Sequence, residues 1–86
     1  MVGKGSIDMV KEKIGAVGDI WKFTTSWSDG ESHSHYLLFL KENKKENLFY
    51  DIEHGQSFTL AATNCFKDIA VEDVEGISYW DWEYVA

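Results

Sequence analysis

Two stretches of this chain alternate between aromatic or apolar side chains and smaller or charged ones, and that period of two constrains the fold more than any other feature. In Asp19–Trp27, the side chains of Trp21, Phe23, Thr25 and Trp27 point one way, and those of Ile20, Lys22, Thr24 and Ser26 the other. In Ile77–Val85, Trp80, Trp82 and Tyr84 share one side. Asp81 and Glu83 lie on the other, beside Ile77, Tyr79 and Val85. Successive residues of a strand face opposite ways, whereas a helix would scatter both sets around its axis. Each stretch therefore reads as a strand.

The punctuation between them is turn chemistry. Ser28-Asp29-Gly30 suits a tight turn, and so does His54-Gly55-Gln56. Ser34–Lys41 is apolar on both faces and reads as a central strand, followed by a charged loop over Glu42–Asn47. Leu48–Glu53 and Ser57–Ala61 read as the third and fourth strands, and two hairpins in series make a meander. Ala62–Lys67 is ambiguous in pattern, one helical turn closing a corner being one reading of it. Asp68–Val74 alternates again, and Gly76 breaks the chain before the last strand. Near the start, Ser6–Ile14 reads as a short helix, with Ser6 as cap, Gly15 as stop and Ile7, Val10 and Ile14 as its apolar stripe. At 86 residues, one core and one domain, 1–86, are all the chain can build. The expected fold is mainly β (α+β): a small SH3-like barrel or bent antiparallel meander of five to six strands with one short N-terminal helix.

Charge narrows the function. The net charge is −7, and all of it falls in residues 51–86, where eight acids face Lys67 alone. All basic residues are lysine; there is no arginine. An acidic field repels phosphate backbones, and the absence of arginine removes the bidentate phosphate and guanine clamp. Direct nucleic-acid binding is therefore disfavoured, and a basic protein surface is the better match. Cys65 is the only cysteine, so no internal disulfide forms and a reducing, cytoplasmic setting is the simplest expectation. No apolar run long enough for a signal peptide or membrane span occurs, so no membrane partner is expected.

Gly18-Asp19-Ile20-Trp21 followed by His35-Tyr36-Leu37-Leu38-Phe39-Leu40 resembles the opening of the small SH3-like barrels of the MazF and PemK toxin family, over roughly residues 18–60. That resemblance implies a barrel. It also implies a ribonuclease with an active-site arginine near the first hairpin, which this arginine-free chain lacks.

Several constellations could carry chemistry. His33 and His35 share one strand face, and Asp29, Glu31 or His54 could complete a tetrahedral metal site; without a second tight ligand pair, the expectation is no metal and no cofactor. Cys65 and His54 could form a thiol–imidazole pair, although a buried neutral thiol beside Phe66 is the ordinary state of such a cysteine. Paired carboxylates at Glu72/Asp73/Glu75 and Asp81/Glu83 have little room for a deep catalytic cleft in so small a barrel. The Trp80/Trp82/Tyr84 face reads either as core, with Asp81 and Glu83 facing water, or as partly exposed: these rings compete with Trp21, Trp27 and five phenylalanines for one interior, so some aromatic is expected near the surface.

The leading expectation is a non-enzymatic acidic module docking on a basic protein surface through Glu72, Asp73, Glu75, Trp80, Asp81, Trp82, Glu83 and Tyr84. A small, acidic, arginine-free chain resembles proteins of phages and mobile elements, some of which inhibit host nucleases by presenting carboxylates where DNA phosphates would bind. The alternatives are a divergent toxin-like ribonuclease or small hydrolase, and a homodimeric structural domain without ligand. An edge strand with no proline to blunt it favours a homodimer in any case.

Overall fold

The computed structural model describes residues 13–73 and 76–86. They form six strands: β1 (Ile20–Trp27), β2 (Ser32–Lys41), β3 (Glu46–Asp51), β4 (Gln56–Ala61), β5 (Ile69–Asp73) and β6 (Gly76–Tyr84). A single 3₁₀ turn, Ala62–Asn64, lies between β4 and β5. The strands make one antiparallel sheet of order β4-β3-β2-β1-β6-β5, curled into a half-barrel. The N-terminal helix expected over Ser6–Ile14 falls outside the described residues, except for Lys13 and Ile14, which have no regular structure.

The meander β1 to β4 follows from the turns. At the first, the left-handed φ of Gly30 (+100°) and the Asp29 carboxylate, which accepts the Glu31 N–H, fold β2 back on β1. At the third hairpin, Gly55 takes a φ of +68°. The last strand then returns to the start of the chain: Phe23 stands opposite Trp82 and Trp21 opposite Tyr84. This return lets two aromatic rows meet on one side of the sheet and build the core.

The concave face buries Trp21, Phe23, Leu37, Phe39, Phe49, Cys65, Phe66 and Trp82. The Trp82 ring is central, with its centroid 4.5 Å from Phe23, 5.1 Å from Phe66 and 5.5 Å from Phe49. Phe66 caps this cluster from the segment after the 3₁₀ turn, with rings 5.0 Å from Trp21 and 5.1 Å from Phe39. Its φ of +60° is costly for an aromatic residue, so the core contacts hold it there.

β2 lies at the centre of the meander, between β1 and β3, but only one of its faces is buried. Leu37 and Phe39 point into the core, while Tyr36 and Leu40 are exposed on the convex face. A one-layer half-barrel has no second layer among the described residues to cover that side. The two edge strands are β4 and β5.

Gly15 lies against the ring of Phe66. A Cβ there would lie 2.4 Å from Cζ of Phe66 and within 2.6 Å of two neighbouring ring carbons. The ring is locked between Trp21, Phe39 and Trp82, so it has little room to yield. Gly15→Ala is expected to cost roughly 1–3 kcal/mol in chemical denaturation. An unchanged midpoint would show that Gly15 does not press on the ring.

Candidate functional site

The open end of the concave face holds the densest group of functional side chains. β3 ends at Asp51, whose Oδ1 accepts the backbone N–H groups of Glu53 and His54, each at 3.1 Å. This is the ordinary preference of Asp for turn starts: the side chain satisfies amides that the strand ladder no longer pairs. The turn swings His54 back over the carboxylate, where its Nδ1 sits 2.9 Å from Asp51 Oδ2. His35 reaches the same oxygen from β2, also at 2.9 Å. It does so because Leu37 is the register partner of Asp51, and residue 35 shares the face of residue 37.

Two imidazoles thus donate from Nδ1 to one carboxylate oxygen, with ring centroids 5.3 Å apart. The Asp51 side chain is 7% exposed, against 30% for His35 and 57% for His54. Burial alone would raise the Asp51 pKa; the His54 amide and the His54 and His35 rings outweigh it and hold the carboxyl below its ordinary value. The group opens on a hollow of about 390 Å³, completed by Phe23, Gln56 and Phe58. Its polar lining is His35, Asp51, His54 and Gln56, with no Ser, Thr or Cys.

The sequence-proposed pairings are redistributed. His33 stays out of the group; its ring is 61% exposed, with Nε2 3.9 Å from Glu31. Cys65 does not line the hollow with His54. Its Sγ lies 3.4 Å from the Ala61 carbonyl, and burial pushes the thiol pKa up, away from the thiolate a nucleophile needs.

The acidic strand splits by face. On the concave side of β6, Trp82 is fully buried, Trp80 is half-buried with its Nε1 donating to Ser78 Oγ at 2.9 Å, and Tyr84 is 58% exposed. The burial of Trp82 removes it from any surface contact. On the convex side Ile77, Tyr79, Asp81 and Glu83 form one exposed row, with Glu72 of β5 in register with Ile77. The side chains of Asp73 and Glu75 fall outside the described residues.

Asp68 precedes β5 and accepts the Trp82 N–H at 3.1 Å and Lys13 Nζ at 3.3 Å. Lys13 Nζ also donates to the Trp82 carbonyl. Partial burial and the Asp68 carboxyl push Asp81 above its ordinary value. Asp68 is held below its own, because the Trp82 amide, Asp81 and Lys13 together outweigh its burial.

On the convex face a lysine separates the acids of β6 from the apolar groups of β2 and β3. Lys22 of β1 is in register with Glu83 on one side and Tyr36 on the other. Beyond it lie the exposed Tyr36, Leu40 and Tyr50. No protein-family model matches the chain, and no match was found among curated proteins or solved structures. Among the described residues, no helix is long and apolar enough to cross a membrane.

Proposed function

We propose that the chain is a non-enzymatic docking module whose convex face binds a basic protein surface. The observation that carries this reading is the β6 outer row, where exposed Ile77 and Tyr79 continue directly into Asp81 and Glu83. Apolar anchors beside charges are the ordinary build of a protein contact: anchors slow dissociation, and charges steer encounter and reject wrong partners. Tyr79 is 51% exposed, so much of its ring is free to be buried by a partner. The net charge of −7 favours a basic partner. A carboxylate row on a convex surface also suits an inhibitor that occupies a phosphate-binding surface, as expected for a protein of a phage or mobile element in the cytoplasm.

The fold fits an SH3-like barrel in one respect. β6 returns beside β1, so β6-β1-β2-β3-β4 wrap one core with the 3₁₀ turn at the corner. The absence of arginine weighs against the ribonuclease reading.

The test begins with the partner that low salt retains and high salt releases from immobilised full-length chain. Once that protein is purified, Asp81→Asn with Glu83→Gln is expected to slow association roughly 3- to 10-fold at low ionic strength and to flatten its salt dependence. Tyr79→Ala is expected to raise the dissociation rate, at a cost of about 2 kcal/mol of affinity. If no basic protein is retained at low salt, the docking reading fails.

A further inference from the structure

We propose that His35, Asp51 and His54 form a binding site for a divalent transition metal, zinc by preference. The site is independent of the docking face, since it opens on the opposite side of the sheet. Its three donor atoms, one from each residue, all lie within 4.8 Å of one another, and no other such trio occurs among the described residues. Zinc bonds of about 2.0–2.1 Å place neighbouring tetrahedral ligands about 3.3 Å apart. Each Nδ1 already stands 2.9 Å from Asp51 Oδ2, so these pairs need to open by only a few tenths of an ångström.

The supporting contacts are those a metal site needs. Asp51 Oδ1 is fixed by the Glu53 and His54 amides, which leaves Oδ2 aimed at both rings. His35 sits within β2 and Asp51 at the end of β3, so two of the three ligands ride on paired strands. His54, the third, is in the turn and more than half exposed, which gives the ion a way in. With the ion bound, each neutral imidazole turns its Nδ1 lone pair to the metal and carries its proton on Nε2.

Two nitrogen donors select against calcium and magnesium, which take oxygen. Two histidines and one carboxylate leave at least one coordination position open, and the hollow beside Phe23, Gln56 and Phe58 is where it lies. A water or a small anion fits that position.

The test uses the full chain without an affinity tag, stripped with chelator and titrated with zinc by calorimetry. The expected result is one saturable site per chain, with cobalt giving the intense visible bands of a tetrahedral ion. His54→Gln and Asp51→Asn are each expected to weaken zinc binding at least about 10-fold, and His33→Gln to leave it within about 2-fold. His54 is largely exposed, so its variant keeps the fold, and zinc should raise the thermal midpoint of the wild type but not of His54→Gln. Absence of a saturable site overturns the proposal. So does a site that survives His54→Gln but is lost in His33→Gln.

Discussion

Trp82→Ala is expected to destabilise the protein by about 3–5 kcal/mol, the largest effect of any single substitution considered. The ring is fully buried and touches Phe23, Phe49, Phe66 and Trp21 at centroid distances of 4.5 to 6.3 Å. Its removal leaves a cavity that four large rings, held by β1, β3 and the segment after the 3₁₀ turn, cannot collapse into. At about 4–8 °C per kcal/mol for a domain of this size, the thermal midpoint should fall on the order of 20 °C. Trp82→Phe should cost far less. The Trp82 Nε1 is buried without a hydrogen-bond partner, so replacing the indole also removes an unsatisfied donor worth about 1–3 kcal/mol. A midpoint within a few degrees of wild type for Trp82→Ala would show that the inner row of β6 is not the core.

Asp51→Ala is the second large effect, at about 2–4 kcal/mol. One nearly buried carboxylate accepts from two imidazoles and two turn amides, and alanine removes the acceptor they share. Asp51→Asn should cost less, because an amide oxygen still serves the turn. The folded-state pKa of Asp51 is lowered from 3.8, so its contribution is fully present above that value and is lost as pH falls through the folded value. Asp81 acts in the opposite sense: its raised pKa means that protonation relieves the folded state as pH falls. Urea denaturation of wild type should therefore weaken steeply below about pH 4, and Asp51→Asn should lose less over that range. Parallel curves for the two proteins would show that Asp51 is not favoured as an anion in the fold.

Most of the strand plan was legible because alternation and turn residues are local signals. The turns at Gly30 and Gly55, the 3₁₀ corner in Ala62–Lys67 and the facing of Trp80 and Trp82 with Tyr84 all follow from a few neighbouring residues. The exposed outer face of β2 was not legible. An apolar strand buried on both faces and one in a single-layer half-barrel have the same composition, and only the strand order separates them.

The candidate metal group was half legible. His35 and His54 stand out as residue types, but Asp51 joins them only through the pairing of Leu37 with Asp51, a long-range register. The Asp51-Ile52-Glu53-His54-Gly55 turn was the available clue, since an Asp at a turn start folds the residue three positions on back toward itself. His33, two residues away on the same face, stays apart because it lies nearer the turn of the β1–β2 hairpin, opposite Thr25.

The proposed docking role of the outer row of β6 is tested most directly by one paired measurement. Association of the purified basic partner is followed by stopped flow across ionic strength, for wild type and for Asp81→Asn with Glu83→Gln, alongside thermal unfolding of the same samples. A docking face on the outer row predicts an unchanged or slightly raised midpoint, slower association at low salt, and rates that converge at high salt as screening removes the steering. Association that is equal for the two proteins at every ionic strength would contradict it.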